Sequence, residues 1–171
     1  MRRLVLLALA AGTAFAGNAF AATSPISGSF EVRANVPGSC VLVSDTAIDF
    51  GDYDPVDANA TTADTANGNI VLRCTKNTAY RVELNEGLHK DTGSTCTAPA
   101  RRMSNGTEFI SYAIMGSNNA AWGCEPLISD RGFTAASSNT DITLVTYGAA
   151  SAGQDVGVGV YTDTVTYTVT F

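Results

Sequence analysis

Two stretches of this chain alternate apolar and polar residues with a period of two, and they lie near its opposite ends. Between Thr23 and Pro37 the even positions are Ile26, Gly28, Phe30, Val32, Ala34 and Val36, and the odd ones are Ser27, Ser29, Glu31, Arg33, Asn35 and Pro37. Side chains of a strand point alternately to its two sides, so the pattern predicts a strand with one apolar edge and one wet edge. Pro37-Gly38 breaks it. From Gly159 the odd positions are Tyr161, Asp163, Val165, Tyr167, Val169 and Phe171, and threonine fills the even positions 162 to 170. This predicts a strand with threonines outward and an aromatic–aliphatic face inward. The pattern stops at Phe171, so the expectation is a sheet with no strand of its own to follow that one.

Shorter strands are predicted between these two. Residues 40–43 and 47–50 flank a Ser44-Asp45 turn. Residues 69–75 place Ile70, Leu72 and Cys74 on one face, and residues 79–84 set Tyr80, Val82 and Leu84 against Arg81 and Glu83. Residues 108–115 and 141–147 complete the set, while 51–68 and 85–106 read as long polar loops. No sustained helical period occurs, and turn signals recur about every ten residues, as in an antiparallel sandwich. The expected class is all-β, in a single domain.

The N-terminus changes the compartment. Arg2 and Arg3, the apolar run from Leu4 to Ala11 and the small-x-small triplet Ala19-Phe20-Ala21 make a secretory signal over residues 1–21, with cleavage after Ala16 as the alternative. The run is too short to span a bilayer, which takes about 20 residues. Removing 21 of 171 residues leaves 150, enough for one domain with its own core. It also leaves eight basic residues against sixteen acidic ones, so the charge moves from −6 to −8. That acidity disfavours nucleic acid and anionic membranes as partners.

Four cysteines in an exported chain, Cys40, Cys74, Cys96 and Cys124, read as two disulfides, with three connectivities open. The rest of the chemistry is sparse. The single histidine, His89, sits in a polar loop with no Gly-x-Ser-x-Gly elbow and no free thiol to serve it, so no catalytic residue is assigned. Asp45, Asp49, Asp52, Asp54 and Asp57 crowd one region but lack the order of a calcium loop, and neither a metal nor a cofactor is expected. Gly157-Val158-Gly159 opens a strand and not a helix, unlike a phosphate loop. Asn59-Ala60-Thr61 and Asn105-Gly106-Thr107 read as exposed loops, and Trp122 as packing on a neighbouring disulfide.

In order and spacing, five blocks resemble the spore coat protein U family, from which archaic chaperone–usher pilins are built. They are Ile26 to Val36 followed by Cys40, Ile48-Asp49-Phe50-Gly51-Asp52-Tyr53, Gly68 to Gly87 around Cys74, Phe109 to Ile114 with Trp122-Gly123, and Gly159 to Thr166 ending at Phe171. The resemblance implies an incomplete immunoglobulin-like β-sandwich over residues 39–171, completed by an N-terminal donor strand within the extension 22–38. It implies donor residues Ile26, Gly28, Phe30, Val32, Ala34 and Val36, and an acceptor strand presenting Tyr161, Val165, Tyr167, Val169 and Phe171. It further implies the pairings Cys40–Cys74 and Cys96–Cys124. The partners it implies are identical or related pilin subunits, a periplasmic chaperone and an outer-membrane usher. The product would be a surface pilus, or fimbria, supporting adhesion and biofilm formation, with this chain as a shaft subunit. Transit through the periplasm would precede display at the cell surface. The alternatives are a self-contained secreted binding module of lectin-like type, or a coat protein.

Overall fold

The computed structural model describes residues 24–124 and 132–171, so the expected secretory signal over residues 1–21 lies outside the described residues. The chain divides into two units, residues 1–35 and 36–171. In the first, residues 25–35 form neither helix nor strand, their side chains are exposed, and Arg33 pairs with Glu31.

The second unit is all-β. Its strands are β1 (Cys40–Thr46), β2 (Asp64–Cys74), β3 (Ala79–Leu84), β4 (Arg101–Ser104), β5 (Phe109–Met115), β6 (Gly132–Thr134), β7 (Ile142–Ala150) and β8 (Tyr167–Thr170). One sheet has the order β1-β2-β7-β5-β4 and the other β6-β3-β8, with every pairing antiparallel. The alternation in the sequence sets the core. Ile70, Leu72 and Cys74 of β2, Tyr80, Val82 and Leu84 of β3, and Ile110, Tyr112 and Ile114 of β5 are all buried together. Each aliphatic side chain so placed contributes roughly 1.5–3 kcal/mol relative to exposure.

The differences from the expected strands follow from pairing. No turn forms at Ser44-Asp45. Instead β1 runs through to Thr46, with a bulge between Leu42 and Ser44. Residues 47–50 and 159–166 were expected to be strands and have no ladder partner, apart from an isolated bridge between Thr162 and Ser104. The strand β2 begins inside the expected loop 51–68, because its first residues pair with the end of β7, Asp64 with Ala150. The strand β4 lies inside the expected loop 85–106. Its Arg101 is buried at 1 % exposure and donates to the carbonyls of Asn85 and Trp122 at 2.5 and 2.7 Å. Asn59, expected in an exposed loop, is buried and organises its own turn, accepting from Asp54 N at 2.8 Å and donating to Thr62 O. Trp122 is buried, its indole N–H donating to Val82 O at 3.0 Å.

Disulfides join Cys40 to Cys74 and Cys96 to Cys124, the pairings the family resemblance implied. The first joins directly opposed residues of β1 and β2. In the chain-entropy model a closed loop of this size is worth roughly 3–4 kcal/mol. Cys74→Ser is therefore expected to lower the unfolding free energy by about 2–5 kcal/mol in urea titration, and thiol labelling of the denatured, unreduced wild type is expected to find no reactive cysteine.

Candidate functional site

Two strand-poor segments of the second unit flank an apolar groove of about 1210 Å³. One wall is residues 45–56, from the end of β1, the edge strand of the larger sheet. The other is residues 156–167, ending at the start of β8, the edge strand of the smaller sheet. Core residues Ile70, Leu84, Met103, Ile110, Tyr112 and Ile114 form the floor. The walls run in opposite directions. Asp45 meets Tyr167 at one end, and near the other Tyr53 reaches Ser151 O at 2.7 Å and receives the Gln154 amide.

Each wall is held from behind. Ile48 and Phe50 lie against β7 at Gly148, where a β-carbon would stand 2.5 Å from Ile48 and 3.0 Å from Phe50, so only glycine admits this wall so close to the sheet. On the opposite side the Asp163 carboxylate accepts from Tyr112 Oη at 2.6 Å and from the amides of Leu88 and His89 at 2.8 and 3.2 Å. Burial, reinforced by that carboxylate, pushes the Tyr112 phenol up, so it stays a donor throughout the physiological range. Gly87, at φ +79°, makes the turn that brings those amides round to Asp163. Lower down, Glu108 Oε2 accepts the Gly157 amide at 2.8 Å, and the Tyr161 hydroxyl lies 2.9 Å from the same oxygen.

Of the expected acceptor residues, Tyr161, Val165 and Tyr167 line the groove. Val169 packs on the core beyond it. Phe171 is 59 % exposed, one residue beyond the last β3–β8 ladder pair, Arg81 with Thr170. The expected donor side chains are brought into no ladder of this chain. Ile26, Phe30, Val32 and Val36 are 95, 88, 82 and 75 % exposed, Ala34 is exposed, and Gly28 has open space around it. His89 contributes a backbone amide to Asp163, and its ring lies beside that of Phe109, with centroids 6.4 Å apart.

Sequence reasoning missed the wall that opposes the acceptor strand. Ile48, Phe50 and Tyr53 are half-buried along it, and the alternation at Ile48 and Phe50 was the available signal. It also missed Asp163 as the residue that fixes the facing wall. Within the acidic cluster of residues 45–57, Asp49 and Asp54 serve local turns: Asp49 caps Gly51 N at 2.9 Å, and Asp54 accepts from the Val56 and Asp57 amides.

The Gly157 amide first, and the Tyr161 hydroxyl second, hold the Glu108 carboxyl below its ordinary range. A depressed pKa stabilises the fold above the unfolded-state value, and that contribution is lost as pH falls through the folded-state value. The Gly157 amide is thus expected to lose hydrogen-exchange protection on acidification in the wild type. In Glu108→Ala it should already be weakly protected, with little pH dependence beyond intrinsic exchange.

The geometry agrees with what known proteins show. The Spore Coat Protein U domain model matches residues 26–168. A curated relative, Protein U of Myxococcus xanthus, is 33 % identical over 147 residues, covering 81 % of this chain and 80 % of its own. Among solved structures, one describes the chaperone–tip adhesion subunit pre-assembly complex CsuC-CsuE from the archaic chaperone–usher Csu pili of Acinetobacter baumannii. It matches with TM-score 0.53 and 26 % identity over 80 % of this chain, which spans only 40 % of that one. The P pilus rod subunit PapA matches in fold, with TM-score 0.53 and 14 % identity over 77 % of this chain and 97 % of its own. On the family model's match over most of its length and its 33 % identity to Protein U, the chain belongs to the Spore Coat Protein U domain family.

Proposed function

We propose that this chain is a structural subunit of a surface pilus, exported across the inner membrane and polymerised by strand donation, with no catalytic role. Residues 26–36 of one copy enter the groove of the copy that precedes it. The observation that carries this reading is the pairing of two unfinished parts in one sequence. One is an apolar groove between strand-poor walls, and the other is an alternating segment whose apolar side chains are exposed. Strand addition satisfies both: main-chain hydrogen bonds supply affinity, and every second side chain enters the groove. The sizes match as well. Eleven residues of extended chain span roughly 36 Å at about 3.3 Å each, and the walls are of similar residue length, 45–56 and 156–167. The 26 % identical Csu subunit was crystallised with its chaperone. By analogy a periplasmic chaperone occupies this groove first, and an outer-membrane usher presides over the exchange. Adhesion and biofilm formation are the roles such a fibre serves.

A coat-forming role is the second reading, favoured by the family's description and by the identity to Protein U. It predicts a chain that accumulates on the cell without chaperone and usher.

Burying the four larger donor side chains is worth about 1.5–3 kcal/mol each before ordering costs. Phe30→Ala is expected to weaken the joint between subunits by about 3–5 kcal/mol. Phe30→Asp should abolish fibres by burying an unpaired charge. Glu31→Ala, on the wet edge, should leave fibres intact. Each variant is expressed with chaperone and usher, surface fibres are counted by electron microscopy, and multimers are scored on unheated gels. Normal fibres from Phe30→Asp would exclude strand donation through this segment. Loss of fold in the monomer on that substitution would instead favour a self-contained binding module.

A further inference from the structure

The groove ends at a charged residue, and a bulge puts it there. Opposed residues of a ladder share a face, and the buried positions of β2 are Gly68 and, opposite β1, Ile70, Leu72 and Cys74. The partners of the last three on β1 are Asp45, Leu42 and Cys40. Without the extra residue at Val43, unbroken alternation would set Ser44 opposite Ile70 and turn Asp45 outward. A bulge re-aims every side chain that follows it, and here it turns the carboxylate toward the groove, where Tyr167 Oη donates to Asp45 Oδ2 at 2.9 Å. These two residues are the limits of the lining on their respective walls, so their hydrogen bond spans the end of the groove.

We propose that the Asp45–Tyr167 pair is a register stop that specifies where an inserted strand ends. The inference rests on the strand-donation reading, and its occupant is the segment 26–36 of a second copy of this chain. A strand that repeats an apolar residue at every second position can slide by two residues and still present its apolar edge to the floor. Sliding toward β1 drives an apolar side chain into the pair. That breaks the tyrosine hydrogen bond and leaves the carboxylate facing hydrocarbon, a cost that floor complementarity does not repay. The groove floor alone is permissive, and the charged end makes one register exclusive.

The test uses the full exported chain with photoreactive benzoylphenylalanine in place of Phe30, assembled and irradiated, with cross-linked residues mapped by mass spectrometry. The wild-type groove is expected to give one cluster of cross-links between chains. Tyr167→Phe, which removes a single oxygen, and Asp45→Leu should each add a second cluster two residues further along the walls. Asp45→Asn keeps an acceptor for the tyrosine and should retain the single cluster. One unshifted cluster in both Tyr167→Phe and Asp45→Leu, with both disulfides formed, would overturn the stop while leaving strand donation standing. If Asp45→Leu does not fold, Tyr167→Phe alone decides. Absence of cross-links between wild-type chains would overturn strand donation itself, and the stop with it.

Discussion

An unpaired sheet edge presents backbone N–H and C=O groups to whatever strand arrives, and this domain sets two such edges on either side of its own apolar core. The end of β1 and the approach to β8 do not pair with each other, and residues of the floor lie between them. A soluble protein ordinarily blunts edges of this kind with charge, a bulge or a covering loop. Here the blunting is confined to one end, where the bulge and Asp45 sit, and the remainder stays receptive. On the proposed reading, in which a strand from another copy fills the groove, much of the surrounding architecture serves to keep its shape fixed.

That task explains why hydrogen bonds take over where packing is incomplete. A wall with core on one side and solvent on the other gains little from burial, so its position must be fixed by directional contacts. Asp163 collects a phenol and two amides, and Glu108 takes an amide and faces a second phenol. Arg101 lies almost wholly buried and binds carbonyls of the β3 end and of Trp122. Charge-assisted bonds of this kind are about twice as strong as neutral ones. Those from Tyr112 to Asp163 and between Glu108 and Gly157 tie β5 and the residue before it to the 156–167 wall, through groups that an incoming strand does not need to displace.

What could be read from the sequence was whatever obeyed a period of two with ordinary chemistry at each position. The alternation of Ile70, Leu72 and Cys74, or of Tyr80, Val82 and Leu84, identifies a buried face without further information. The strand β4 was hidden because an arginine, Arg101, takes an inward position beside Met103, and its side chain reads as exposed unless its carbonyl partners are known. Asn59 was hidden for the same reason. Asp45 was illegible in another way: a single extra residue at the bulge reverses the face of all that follows, and nothing local in Val41-Leu42-Val43-Ser44 announces it. Residues 47–50 and 159–166 carry the alternation of strands but have no ladder. On the proposed strand-donation reading their pattern serves a partner outside the domain, which is why the residues show it and the ladders of this chain do not.

The same logic bears on the first disulfide. In the proposed fibre the load on one copy arrives through residues 22–38 and enters the domain at β1, an edge strand with a ladder on one side only. Hydrogen bonds of an edge ladder yield in succession when the strand is drawn from its end. Cys40 is the first residue of β1 and faces Cys74 directly in the ladder, so the bridge ties the point of entry covalently to β2, which is paired along its other edge with β7. Tension is thereby passed to an interior strand before any hydrogen bond of β1 bears it. A subunit whose own core is unfinished could not rely on that core to hold its extension, and a covalent tie at the first residue removes the need.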